Sequence, residues 1–79
     1  MRYLWMIERK AGTKGYDENV SCIVVASTEE EVRAIAARNA ADEGEGPWHS
    51  PETLVTQLGI AHEDVGVTIP IVMISYNAG

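Results

Sequence analysis

In Val20-Ser21-Cys22-Ile23-Val24-Val25-Ala26-Ser27-Thr28-Glu29-Glu30-Glu31-Val32, a strand pattern passes directly into a helix pattern, and this stretch decides the fold. Residues 20–26 are mostly apolar and β-branched, with side chains that alternate between two faces, which predicts a strand. The Ser27 hydroxyl can cap the following turn while Glu30 reaches back to it, and acidic residues favour the positive end of a helix. The sequence therefore predicts a helix that begins near Thr28.

The predicted helix has one apolar stripe and one charged face. Glu29 and Arg33 are spaced for an i,i+4 ion pair on the exposed side. Gly44 and Gly46 are expected to stop the helix, which gives about 15 residues, enough to cover one face of a small sheet. The three-to-four spacing of the buried stripe is formed by Val32, Ile35, Ala36 and either Asn39 or Ala40.

Two strands are predicted before this helix. Residues 3–9 alternate, with Tyr3, Trp5 and Ile7 on one face and Leu4 and Met6 on the other, and apolar side chains on both faces indicate a central strand. It is expected to pair antiparallel with residues 20–26. Residues 11–18 contain two glycines and form a connection that is too long for a tight hairpin.

Two more strands are predicted after the helix. Residues 43–51 are irregular, because glycines and two prolines discourage regular structure. Residues 53–60 alternate as a strand, although Leu54, Val55 and Leu58 equally fit a short helix. Residues 68–76 form the last strand, in which Pro70 must lie at the beginning or on an edge.

These elements predict an α+β fold with the order ββαββ. One helix packs on a mainly antiparallel four-stranded sheet as a two-layer single domain over residues 1–79. The helix covers only one face of the sheet. Whichever apolar set of the first strand faces away from the helix needs cover from residues 44–52, from a second copy of the chain, or from a partner.

Charge is unevenly distributed along the chain. Among 79 residues there are 12 acidic and 6 basic side chains, for a net charge of −6. All basic residues lie at or before Arg38, so the whole excess of acid lies in the second half. A basic stripe is needed to neutralise phosphates, so direct binding of nucleic acid is not expected. The acidic half fits a basic protein partner, or it serves only solubility.

The residues that we predict to bind a partner are carboxylates outside the helix and one tryptophan in a Gly/Pro-flanked loop. Adjacent carboxylates in loops can face a basic surface. Trp48 is either a contact residue or an anchor of the core, and most tryptophans are largely buried. The predicted set is Asp17, Glu18, Asp42, Glu43, Glu45, Trp48, Glu63 and Asp64.

No catalytic residue, metal site or cofactor is predicted. His49 and His62 are 13 residues apart in the sequence and lack the close ligand pairs of a zinc site. Cys22 lies in a predicted strand, where a buried and inert thiol is expected. A single cysteine cannot form an internal disulfide, and with no secretion signal or apolar span of about 20 residues the expected location is a reducing cytoplasm.

Several segments together resemble a family of short phage and prophage proteins that end in Ser-Phe-Asn-Ala-Gly or Ser-Tyr-Asn-Ala-Gly. The resemblance spans nearly the whole chain, and the ending is its most specific part. Tyr76 stands where the family usually has Phe, and Thr68-Ile69-Pro70 departs from the usual approach to the last strand. The segments are Tyr3-Leu4-Trp5-Met6-Ile7, Gly15-Tyr16-Asp17-Glu18, Val24-Val25-Ala26, Trp48 near Pro51, Leu58-Gly59 and Ile74-Ser75-Tyr76-Asn77-Ala78-Gly79.

The resemblance implies a small protein made by a phage inside a bacterium, located in the host cytoplasm. Such proteins often occupy a surface of a host or defence protein, as anti-CRISPR proteins do. We therefore expect a stoichiometric inhibitor that presents carboxylates to a basic nucleic-acid-binding surface. The alternative is a non-enzymatic accessory or assembly module that self-associates as a homodimer and holds a small ligand between its subunits.

Overall fold

A computed structural model describes residues 2–10, 17–65 and 69–77, which form four strands, one α-helix and one 3₁₀ helix. The sheet is antiparallel, with the order β3-β1-β2-β4. An α+β fold with one α-helix and a four-stranded antiparallel sheet is thus confirmed. The elements are β1 (Tyr3–Glu8), β2 (Glu18–Ala26), α1 (Glu29–Arg38), the 3₁₀ helix (Gly46–His49), β3 (Leu54–Ile60) and β4 (Ile71–Asn77).

One element differs from the predicted arrangement, and two other features agree with it. The ββαββ order omitted the 3₁₀ helix in the segment 43–51, which was predicted to be irregular; Pro47 lies in its first turn, where a missing N–H is tolerated. Residues 54–60 are a strand, so the alternative of a short helix is wrong. The strand order places β1 centrally, as expected. Residues 11–16 of the predicted loop lie outside the described residues.

The N-cap of the helix lies one residue later than predicted. Thr28 is the N-cap, and its hydroxyl accepts from the Glu31 N–H at 3.2 Å. The Glu31 carboxylate accepts from the Ser27 N–H at 3.2 Å. Ser27 and Glu30 therefore do not form the capping pair, because the neighbouring Thr and Glu supply the same chemistry one position further along.

The helix is also shorter than predicted, with 10 residues instead of about 15. Asn39 ends the helix, and its backbone N–H donates to the Ala36 carbonyl at 3.2 Å. Its side-chain amide donates to the Ile35 carbonyl at 2.8 Å, so a last-turn acceptor is satisfied locally. Gly44 and Gly46 come too late in the chain to set the end of the helix.

The core lies between α1 and one face of the sheet, which we call the helix side. Trp48 of the 3₁₀ helix reaches into it and has no exposed surface, so residues 44–52 pack on the helix side and leave the opposite face of the sheet without their cover. The cluster comprises Ile7, Cys22, Val24, Ala26, Val32, Ile35, Ala36, Ala37 and Trp48.

Arg33 fastens the 3₁₀ segment to the helix. Its guanidinium donates to the carbonyls of Trp48, Ser50 and Thr53 at 3.0, 2.8 and 2.9 Å. Its Nε also lies 3.2 Å from the Glu29 carboxylate, which confirms the predicted i,i+4 pair. Because the planar guanidinium satisfies three carbonyls at once, it replaces the regular pairing that this loop lacks.

None of the helices in the described part of the chain has the length and apolar character needed to cross a membrane.

Candidate protein-binding surfaces

Two of the predicted acidic residues meet at one end of the sheet. The Asp42 N–H donates to the Asp17 carbonyl at 3.0 Å, which brings the turn after α1 against the start of β2. Asp17 has a φ of 59°, a left-handed conformation that aspartate tolerates better than most residues. Both side chains are exposed. We call Asp17, Asp42 and the exposed Glu45 that follows them the acidic end.

Tyr76 of β4 borders the acidic end. Its hydroxyl donates to a carboxylate oxygen of Asp17 at 3.1 Å. Partial desolvation, this hydrogen bond and the nearby negative charge of Asp17, Asp42 and Glu43 raise the pKa of the Tyr76 hydroxyl. The hydroxyl therefore stays protonated at neutral pH and holds Asp17 in place as a donor.

Two further acids of the predicted set are engaged inside the fold. Glu18 forms an ion pair at 2.9 Å with Arg9, whose side chain is almost fully buried. Glu43 accepts from the N–H groups of Asn19 and Ala41 at 3.0 and 3.1 Å. It also accepts from the indole N–H of Trp48 at 2.8 Å. Glu43 is therefore a structural clasp, because one half-buried carboxylate accepts from its own turn, from β2 and from the 3₁₀ helix.

Trp48 does not belong to an exposed surface. Its side chain is fully buried, and its only polar atom is held by Glu43. Of the two roles predicted for Trp48, the burial supports the core anchor, and the indole presents no surface to a partner. The loop position did not show which residues would bury the indole, because the packing of a 3₁₀ helix depends on residues that are distant in the sequence.

Glu63 and Asp64 lie at the opposite end of the sheet. The Arg2 guanidinium donates to the Glu63 carbonyl at 2.9 Å, next to the pairing of Tyr3 with Ala26 and Ile60. β2 has nine residues, so its two ends are about 26 Å apart. The acids of the second half therefore do not form one contiguous surface.

The single cysteine faces the core. Burial, together with the negative charge of Glu43, raises the pKa of the Cys22 thiol to about 11. A thiol that stays protonated at neutral pH is a poor nucleophile. Among residues 2–10, 17–65 and 69–77, no three His, Cys, Asp or Glu side chains come together as a set of metal ligands.

A small pocket lies where the end of β1 meets the segment after the 3₁₀ helix. Its volume is about 140 Å³, well below the roughly 300 Å³ at which small-molecule sites begin. The Lys10 ammonium is 3.6 Å from the Glu52 carboxylate at its rim. The pocket is lined by Arg9, Lys10, Pro47, Ser50, Glu52 and Thr53.

The face of the sheet opposite α1 is apolar and carries no helix in the part of the chain that the structure describes. Antiparallel partners share a face, so the registers assign its members. We call this surface the open face. Glu8, at one end, is its only charged member among the described residues. The open face comprises Leu4, Met6 and Glu8 of β1, Ser21, Ile23 and Val25 of β2, Leu54 and Thr56 of β3, and Met73 and Ser75 of β4.

The most exposed large apolar side chains of the described residues lie in β3, in β4 or directly before β4. On the open face, Leu54 and Met73 expose 63% and 55% of their surface. The sequence signal was present, since neither strand contains a charged residue. An uncovered apolar face was expected from the apolar side chains on both faces of β1, but the exposed residues of β3 and β4 were not among the predicted site residues, because an uncharged strand has no distinctive motif. The other exposed large apolar side chains are not members of the open face; they are Leu58, Ile60, Ile69, Val72, Ile74 and Tyr76.

No family model matches this chain, and neither a curated protein nor a solved structure does.

Proposed function

We propose that this protein acts by binding other proteins through its open face, not by turning over a substrate. The observation that carries the proposal is the exposure of Leu54 and Met73 beside the half-buried Leu4, Met6 and Ile23. Contiguous apolar surface of this kind costs free energy in water and is typical of interaction sites.

The surroundings of the open face support the same proposal. Met6 and Ile23 pair directly across β1 and β2, and Met73 pairs with Ile23 on the next strand. This row continues through Thr56 of β3, so one uncharged band crosses all four strands. Methionine side chains adapt to the shape of a partner, and two of them lie in this band.

A second candidate function is supported by the acidic end. Asp17 and Asp42 are adjacent and exposed, and the sequence beyond Arg38 contains no Lys or Arg. Such carboxylates can take the place of phosphates on a basic surface. In this version the protein inhibits a bacterial host or defence protein in the host cytoplasm by occupying its nucleic-acid-binding surface, as the resemblance to phage proteins implies.

One experiment separates the two candidates. The tagged full chain is used as bait in a lysate of bacteria that also express the untagged chain, so that either a host protein or a second copy can be captured. Capture is compared at about 0.1 M and about 0.5 M salt, since surface charge contacts are largely screened at the higher value. The open-face variant combines Leu54→Glu with Met73→Glu. The acidic-end variant combines Asp42→Asn with Glu45→Gln, and its matched control is Glu30→Gln on the exposed start of α1.

We expect a captured protein to be retained at both salt concentrations, to be lost with the open-face variant, and to be unaffected by Glu30→Gln. Capture that fails at high salt and with the acidic-end variant, but survives the open-face variant, supports the inhibitor function instead. If the captured proteins are the same with all variants, both candidates are wrong.

A further inference from the structure

We infer that the partner of the open face is a second copy of this chain, and that two copies pack face to face through a two-fold axis. This inference rests on the proposed function, because it names the occupant of the same surface. In such a dimer the surface is self-complementary: each member of the open face meets the open face of the other copy.

The charges of the molecule favour this occupant. Glu8 is the only charged side chain of the described open face. It pairs with Leu54 at one end of the face, where its exposed carboxylate can reach water at the margin of the interface. The other acids lie at the ends of the sheet or on α1, away from the open face. Two copies can therefore join without burying an unpaired charge, which is the costly step in most associations.

The size of the surface also fits a dimer. Four strands are about 19 Å across and seven residues are about 23 Å long, so the open face covers about 440 Å² in projection. Two copies bury about 900 Å² in projection. Because side chains make the surface rough, the buried area exceeds its projection and comes close to the roughly 1,000 Å² that a specific interface needs. We therefore expect a reversible dimer in the micromolar range.

The edges of the sheet disfavour the other route to self-association, in which strands pair edge to edge. The register of β3 shifts at Leu58, and that of β4 shifts at Val72. Such bulges leave a residue out of the ladder and twist an edge away from a further strand. Face-to-face packing of two sheets does not require regular edges.

The test uses two variants of one strand. Leu54 and Ile60 are both in β3, have the same side-chain volume and expose 63% and 65% of their surface. Leu54 belongs to the open face, whereas Ile60 pairs with Tyr3, whose ring contacts Trp5 on the helix side. Leu54→Glu and Ile60→Glu therefore add the same charge on opposite faces. Far-UV circular dichroism verifies that each variant is folded.

Sedimentation velocity of the purified full chain from about 1 μM to about 300 μM gives the dissociation constant. We expect Leu54→Glu to raise this constant at least about tenfold and Ile60→Glu to change it less than about twofold. Met73→Glu, on the opposite edge of the open face, should act like Leu54→Glu. Higher salt should leave the dimer unchanged or strengthen it, because each copy carries a charge of −6 that salt screens.

The inference is overturned if the chain stays monomeric over this range, if the two β3 variants weaken the dimer equally, or if neither does. A monomer that still captures a protein in a manner sensitive to Leu54 and Met73 overturns the dimer but keeps the proposed function. A monomer without such capture overturns both.

Discussion

The centre of the helix side and the edge strands of the open face bury similar side chains to different extents. On the helix side, Ile7 and Trp48 have no exposed surface, and the donors and acceptors around them are paired by Glu43 and Arg33. On the open face, Leu54 and Met73 are more than half exposed. The difference indicates that the helix side supplies the stability of the single chain, whereas the open face is available for association.

The largest expected effect is on the helix side. Trp48→Ala removes the largest fully buried side chain and leaves a cavity, which costs about 3–5 kcal/mol of unfolding free energy. A chain of this size has a total stability of about 5 kcal/mol, so the variant should be largely unfolded. Urea denaturation followed by circular dichroism measures the change. Leu54→Ala is the control and should cost less than about 1 kcal/mol; equal costs would remove the distinction between the two faces.

Glu43→Ala should have the next largest effect. It leaves the N–H groups of Asn19 and Trp48 without their acceptor, at a cost of about 2 kcal/mol in unfolding free energy. The neighbouring Asp42→Ala removes an exposed carboxylate and should change stability by less than about 0.5 kcal/mol. The same denaturation measurement compares them. A Glu43→Ala variant as stable as Asp42→Ala would show that the clasp contributes nothing.

The buried thiol predicts a loss of stability in alkaline solution. The Cys22 thiol has an ordinary pKa near 9.0 in the unfolded chain, and burial raises this pKa to about 11 in the folded chain. The folded protein therefore holds more protons between these values, and its stability falls as pH rises, by about 1 kcal/mol between about pH 8 and about pH 10. Denaturation at both pH values tests this. Cys22→Ala should show a smaller decrease, and an identical decrease would assign the effect to other groups.

The smallest expected effect is on the open face. Leu54→Gln and Met73→Gln should change the unfolding free energy of the monomer by less than about 0.5 kcal/mol, because both side chains already contact water. Denaturation at low protein concentration isolates the monomer from association. A loss comparable to that of Glu43→Ala would mean that the open face contributes to the single chain after all.

Local patterns predicted most of the fold. Alternation predicted three of the four strands, because a period of two is imposed by the pleat itself. The last strand was predicted at residues 68–76 and is observed at Ile71–Asn77. The apolar stripe of Val32, Ile35 and Ala36 predicted the buried side of α1, because residues three or four positions apart lie on one face of a helix. The end of the helix was missed by several residues, because Asn39 closes it through its own side chain, and propensity alone favoured continuing into the alanines that follow.

The acidic residues show where local patterns stop being informative. Glu43 and Glu45 look alike in the sequence, yet Glu43 accepts three hydrogen bonds and Glu45 is exposed. Glu63 and Asp64 are also adjacent acids outside the helix, but they lie at the other end of the sheet. Sequence distance does not encode which donors a carboxylate will meet, because those donors come from segments up to 24 residues away.

By itself, the sequence determined the α+β class, the central first strand, the apolar side chains on both of its faces, and the net negative charge, since these follow from residue type and period. Only the tertiary structure decided that Trp48 and Glu43 belong to the interior, that the acids are divided between two ends, and that the 3₁₀ helix packs beside α1. Each of these depends on contacts between distant segments, and the open face exists because both helices pack on the same side of the sheet.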